Sequence, residues 1–190
     1  MNKENIYSAM TKIINEDYFT GRVTIRGIFS EQASNEQEIY HVTFYNGART
    51  TLHYHESDQI LIATGGKGVV GLIKGSKVSD FEIDEKDIIF FEEDGDSVYI
   101  PANRLHFHGA IGGSSGNGDF SHLAIRKMYL NRVTQAVEKK AKNEWEYDLI
   151  AKEIGNKDPE IIKRIAEKIS EKIQIAILKK RDRDRDTKNN

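Results

Sequence analysis

From Gly21 to about Met128 the apolar residues come in short runs: RVTIRGIF, EIYHVTFY, TTLHYH, QILIATG, GVVGLI, DIIFF, SVYIP, RLHFHGA and SHLAIRKMYL. Each run is rich in β-branched and aromatic residues, and clusters of Gly, Asn, Asp and Ser separate them. Many short strands joined by close turns predict an antiparallel all-β domain, a sandwich or a barrel. Ahead of it, Ile6, Met10, Ile13 and Ile14 recur at helical spacing, which predicts a short amphipathic helix over residues 4–16. After Leu130 the strand pattern stops. Residues 132–154 predict a helix that carries Trp145 and is ended by Gly155. A second helix is expected from an Asp158 N-cap and Pro159, with Ile161, Ile162, Ile165, Ile169, Ile173 and Ala176 along one stripe. That stripe needs a surface to cover it, so a helical hairpin packed on the β domain or on a second subunit is expected. The last residues, KKRDRDRDTKNN, alternate Arg and Asp and suggest a frayed, solvated end. The expected division is an N-terminal helical arm (1–19), a barrel (20–130) and a helical extension with a frayed charged tail (131–190).

Composition narrows the function classes. A chain of 190 residues supports one core, and 38% hydrophobic with 31% charged residues suits a globular protein. A formal net charge of -2 gives no reason to expect nucleic acid or an anionic membrane as partner. No window approaches the apolar length of a membrane span, and MNKENIYSAMTKIINEDYF lacks the apolar centre of a secretory signal. A cytoplasmic location is therefore expected. With no cysteine, disulfides, thiolate ligands and cysteine nucleophiles are excluded, and any metal must be held by nitrogen and oxygen.

All six histidines, His41, His53, His55, His106, His108 and His122, fall in the β region. Residues two apart on a strand share a face, so His53 and His55 project together, as do His106 and His108. Two strands offering imidazoles to one lumen can surround a single ion, and neutral imidazole suits Zn, Cu, Fe, Ni and Mn.

The first pair sits in Gly47-x5-His53-x-His55-x3-Gln59-x6-Gly66, and the second in Gly95-x5-Pro101-x-Asn103-x2-His106. These strings resemble the two conserved motifs of the cupin superfamily over roughly residues 20–130. The resemblance implies a mainly β fold, a cupin double-stranded β-helix or jelly-roll barrel, flanked here by the short N-terminal helix and the C-terminal α-helical extension. It also implies a metal set of His53, His55, Gln59 and His106. Two positions depart from the motifs: Gln59 stands where Glu is usual, and Asn103 where Gly is usual. Asn tolerates the left-handed backbone that glycine supplies in a turn. Gln59 carries no charge, so the ion keeps a site charge near +2 instead of near +1, which favours Lewis acidity over metal retention. Asp58 is the rival ligand, but as the neighbouring residue it would face the other side of a strand.

The stretches GARTTLHYHESDQILIATGGKG and GDSVYIPANRLHFHGA, followed by FSHLAI, are similar to single-domain cupins of the carboxymuconolactone-decarboxylase-associated type, a group that includes manganese-dependent hydroxynitrile lyases. That likeness implies one divalent ion, manganese first, with iron, nickel and zinc also suited. It further implies a homodimer, an open coordination position facing a small apolar pocket, and a last-strand histidine at His122. Tyr40 and Val42 are expected along that pocket and His41 out of register with it. His122 is the first candidate for the proton carrier and His108 the second, because an imidazole titrates near pH 6.5 and works in both directions. His108 also reads as a packing residue behind the metal. The acidic stretch FEIDEKDIIFFEEDGDSVYI and the helical extension exceed the usual pattern, and either could restrict the barrel mouth; the loop at 112–119 reads as a hairpin loop or a lid. The expected function is Lewis-acid and acid–base chemistry of the lyase or isomerase type on a small oxygen-bearing substrate. A metal-dependent dioxygenase and a non-catalytic metal or small-molecule binder are the alternatives.

Overall fold

The computed structural model describes residues 2–29, 36–75, 77–78, 81–112, 118–127 and 143–188. One five-stranded antiparallel sheet has the order β1 (Val23–Phe29), β2 (Gln37–Phe44), β9 (Phe120–Lys127), β4 (Gln59–Gly66) and β7 (Ser97–Ile100). The other has the order β10 (Glu144–Trp145), β3 (His53–Tyr54), β8 (His106–Ala110), β5 (Gly68–Leu72) and β6 (Ile88–Phe91). The expected jelly-roll barrel is the fold formed. Strand pairs far apart in sequence, such as β2 with β9 and β4 with β9, close it.

Two apolar layers fill the molecule. Phe44, Leu61, Val70, Phe91, Phe120 and Ala124 pack between the sheets. The outer face of the second sheet, through Leu52, Val69 and Phe107, is covered by α1 (Glu146–Ile154) and α2 (Pro159–Lys188). The alternation along β8 explains this division: Phe107 faces the helices while its neighbours His106 and His108 face the lumen. Gly71 is opposite Phe107, and a Cβ there would meet the ring at 2.3 Å, so this position has no room for a side chain.

The helical hairpin follows the sequence signals closely. Gly155 ends α1 in the left-handed conformation (φ 63°), and the Asp158 side chain accepts the Glu160 N–H at 2.9 Å at the start of α2. Ile162, Ile169, Ile173 and Ile177 are buried on the barrel, whereas Ile161 stays exposed. Polar ties reinforce the seat. Buried Arg49 donates to the Gln174 Oε1 at 2.7 Å and to the Ser170 Oγ at 3.3 Å.

Three expectations change. Residues 4–16 form no α-helix: the chain turns at residues 6–8, runs along β1, and makes a 3-10 turn at Glu16–Tyr18. Strand β1 is the edge of its sheet, and its open backbone groups take the Lys12 N–H at Ile25 O (2.8 Å) and give the Gly27 N–H to Met10 O (3.2 Å). Backbone pairing at a sheet edge outweighs a marginal helix with nothing to pack on. The helix expected over 132–154 starts only at Glu146; Trp145 is in β10, paired with His53, and residues 128–142 lie outside the described residues. Finally α2 does not fray after Ile177 but runs to Lys188, braced by Lys180–Asp184 one turn apart and by Arg183 on Glu85. Residues 113–117 of the glycine-rich loop lie outside the described residues.

Ile173 of α2 is 3% exposed where the helix packs on the barrel. Its replacement by Ala is expected to destabilise the protein by about 2–5 kcal/mol in denaturant unfolding, from lost burial and the remaining cavity. Unchanged stability would show that α2 does not seat on the barrel.

Candidate metal centre

Strand register brings the histidines together. His53 on β3 lies directly across from His106 on β8, with ring centroids 4.1 Å apart, and His55 follows at the end of β3. Potential ligand atoms of His53, His55 and His106 all lie within 4.8 Å of one another, and all three residues are buried. Gln59 opens β4 on the facing sheet and brings its Oε1 to 3.3 Å from the His106 Nε2. The site thus spans both sheets. Asp58 turns outward, where the Tyr99 hydroxyl donates to its carboxylate at 3.3 Å.

The hydrogen bonds select the tautomers. The Nδ1 of His53 meets the Thr51 carbonyl at 3.0 Å, that of His106 the Arg104 carbonyl at 2.7 Å, and that of His55 the Asn143 Oδ1 at 2.7 Å. The Nδ1 of His53 and that of His106 therefore carry the proton, and their Nε2 atoms keep the lone pair, the arrangement typical of metal-bound imidazole. At His55 the Arg126 Nη1 also lies 2.9 Å from Nδ1 and 3.2 Å from Nε2, so both nitrogens of that ring have a donor beside them. The His106 Nε2 and the Gln59 Oε1 then face one another as two acceptors, a contact that a cation between them resolves. The donor set fits a nitrogen- and oxygen-bound divalent ion on these grounds. Burial pushes all three rings below the ordinary imidazole value, His106 to about 4. They are neutral at pH 7, the form that ligates.

Asn103 occupies its turn at φ 59°, as expected for the residue in glycine's place, and its N–H reaches the His55 carbonyl at 2.7 Å. The departure from the motif thus still anchors the backbone of a candidate ligand.

Beside the histidines lies a cavity of about 280 Å³, bordered by His53, His55, Gln59 and His108. Tyr40, Val42 and Phe44 of β2 line it, as the resemblance implied for Tyr40 and Val42. His41 points elsewhere, with its Nε2 3.0 Å from the Thr64 hydroxyl. His122 is fully buried and does not border the cavity; its Nε2 is 3.1 Å from the Nδ1 of His108, so it stands one residue behind. Burial pushes His122 down to about 3 and His108 well below its ordinary value.

Four other wall residues carried no motif signal. Trp145 stacks on His53 (4.3 Å, 15°) and on Tyr18 (4.2 Å, 3°), so both flanking segments of the barrel close over the histidines. The extension, and not the acidic stretch, narrows the cavity among the described residues. Asn143 orients His55. Arg126 on β9 pairs with Glu38 through Nε at 2.9 Å, and its Nη1 lies 3.2 Å from the His55 Nε2. Lys12 reaches the Tyr40 hydroxyl at 3.3 Å. Burial, then the Glu38 charge, push the Tyr40 phenol up to about 12. That Trp145 is the sole tryptophan is the one hint in the sequence, and its neighbours there point to a helix.

The chain is 30% identical over 122 residues to the (R)-mandelonitrile lyase of Granulicella tundricola, a match covering 64% of this chain and 81% of that protein. The chain belongs to the cupin superfamily. A crystal structure of a cupin-like protein from Thermotoga maritima agrees, with a TM-score of 0.50 and 28% identity over 75% of this chain and 88% of that cupin. No family model matches this cupin. Among its described residues no helix is long and apolar enough to cross a membrane.

Because the fold holds these rings neutral, the unfolded chain binds more protons below the ordinary histidine value near 6.5. The resulting stability is present above that value and is lost as pH falls toward about 4 for His106 and about 3 for His122. Chelator-treated protein is accordingly expected to lose roughly a few kcal/mol of unfolding free energy, and to show a lower urea midpoint, between about pH 7 and 4.5. A midpoint independent of pH over that interval would contradict neutral burial.

Proposed function

We propose that this cupin is a metal-dependent lyase or isomerase acting on a small oxygen-bearing organic substrate, with one divalent ion held by His53, His55, Gln59 and His106. The observation that carries this reading is the convergence of potential ligand nitrogens of three buried histidines and one amide oxygen beside a mostly apolar cavity of about 280 Å³. Kinship with a lyase over 81% of that protein's length supports the reaction class. Manganese is the ion we expect, with iron, nickel and zinc as alternatives, since nitrogen and oxygen donors accept all four.

Three imidazoles and an amide are uncharged, so an ion bound there would act at full charge as a Lewis acid that polarises a carbonyl or acidifies a hydroxyl. The rest falls to the protein. Trp145 and Phe44 exclude water from the cavity wall. Because His108 borders the cavity and His122 does not, we assign proton transfer at the cavity to His108 Nε2. His122 acts through it, holding the His108 ring by the 3.1 Å contact at Nδ1. Tyr7, Met10 and Ile13 are exposed on the N-terminal segment, which agrees with a homodimer.

Elemental analysis of the protein as purified is expected to give one metal per chain, with strong losses in His53→Ala and Gln59→Ala. Absence of stoichiometric metal in the parent would end the reading. In turnover assays under argon, on small hydroxyl- and carbonyl-bearing compounds including mandelonitrile, His108→Ala is expected to lose about 10²–10⁴-fold in rate while keeping its metal. Activity that requires dioxygen would move the protein to the oxygenases.

A further inference from the structure

The cavity's polar end holds two cations that the metal centre does not explain. Lys12 arrives from the segment lying along β1, and it crosses that strand where Gly27 has no side chain: a Cβ there would meet the Lys12 Cε at 3.0 Å. Its ammonium sits 4.6 Å from the centroid of the Tyr40 ring and 3.3 Å from the Tyr40 hydroxyl. Among the described residues no carboxylate pairs with it. On the other side of the cluster Arg126, only 16% exposed in its side chain, is neutralised by Glu38 through Nε, while its Nη1 end reaches His55. Two cations and one carboxylate leave the cluster one positive charge in excess, carried by half-buried Lys12 beside a mostly apolar wall. A lone charge bordering such a cavity is costly unless a ligand of opposite sign meets it.

The Nη1 contact sharpens this. Nη1 lies against both ring nitrogens of His55, 2.9 Å from Nδ1 and 3.2 Å from Nε2, and a cation bound at that ring would repel the guanidinium. Pivoting on its Nε bond to Glu38, the Nη end would then face the cavity. An anion between the ion and Arg126 relieves both charges, and guanidinium pairs with carboxylates in a planar fork.

We propose that Lys12 and Arg126 anchor the carboxylate of the substrate, which makes the substrate a 2-hydroxy or 2-oxo carboxylic acid with an apolar remainder. The close approach of Arg126 to His55 sets the spacing: the carboxylate sits on the carbon next to the one whose oxygen faces the histidines. Tyr40 keeps its proton and supplies the hydroxyl between the two cations. Trp145, Phe44 and Ile25 face the remainder. This specificity rests on the metal-centre reading for its orientation, but the anion anchor itself does not require the ion.

The test titrates metal-loaded full-length protein by calorimetry with mandelate and with its neutral counterpart mandelamide, counting bound metal in the same samples. Mandelate is expected to bind about tenfold tighter or more, the range of a charge-assisted contact. Lys12→Met should erase most of that preference while leaving mandelamide affinity and metal content unchanged. Arg126→Gln made together with Glu38→Gln, so that no carboxylate is left alone, should do the same. Equal affinity for the two ligands, or a mandelate preference that survives Lys12→Met, overturns the proposal. A parent that holds no metal but keeps a Lys12-dependent preference ends the metal-centre reading and leaves this one standing; a metal-loaded parent without the preference does the reverse.

Discussion

Five imidazoles are buried between two sheets with no carboxylate hydrogen-bonded to them among the described residues, and burial favours each as a neutral ring. Much else in the molecule follows from that constraint. The backbone carbonyls of Thr51 and Arg104 receive protons from the rings two residues further along the chain, so each ring is oriented by its own strand. His55 lies beyond the end of β3 and has no such carbonyl; its acceptor, Asn143, comes from the C-terminal extension. His108 and His122 meet one another across the two sheets through one contact, with the buried His122 Nδ1 left without a partner among the described residues. The Nε2 atoms of His53 and His106 are left unprotonated and convergent because each Nδ1 has a backbone acceptor.

The two halves of the site belong to different sheets. His53 and His106 come from the sheet that supports the helices, whereas Gln59 and Arg126 are cross-strand partners on the other. A ligand between them joins the sheets at a point where the apolar core gives way to polar side chains. Beneath His53, the Leu52 N–H is held by the Glu146 carboxylate at 3.0 Å, which burial pushes up to about 7. The start of α1 is thereby fastened to the residue before a candidate ligand, so the extension acts as part of the wall.

What was legible in the sequence is what obeys short-range periodicity. Alternation placed His53 beside His55 and His106 beside His108, the glycine and proline frame identified the barrel, and Gly155, Asp158 and Pro159 marked the helical hairpin. Asn103 in its left-handed turn was also foreseeable from backbone chemistry. The missed features depend on distant partners. Ile6, Met10, Ile13 and Ile14 match a helical period, but the open edge of β1 decides their conformation. Trp145 has helix-like neighbours, yet pairing with His53 makes it a strand residue. Lys12 and Arg126 belong to no motif, and only sheet order brings both to Tyr40. That His108 borders the cavity and His122 does not is a matter of depth, which alternation along a strand does not reveal.

Stacking of Trp145 on His53 has a consequence in time. A chain made from its N-terminus presents His53 and His55 early and His106 well after them, but the acceptor for His55 and the indole over His53 arrive later than any candidate ligand. Until then the first histidine pair borders an unfinished strand edge, open to solvent. The frame of the centre is therefore complete only once residue 145 has been made, and a chain ending before it would hold the candidate ligands yet lack the side chains that orient them.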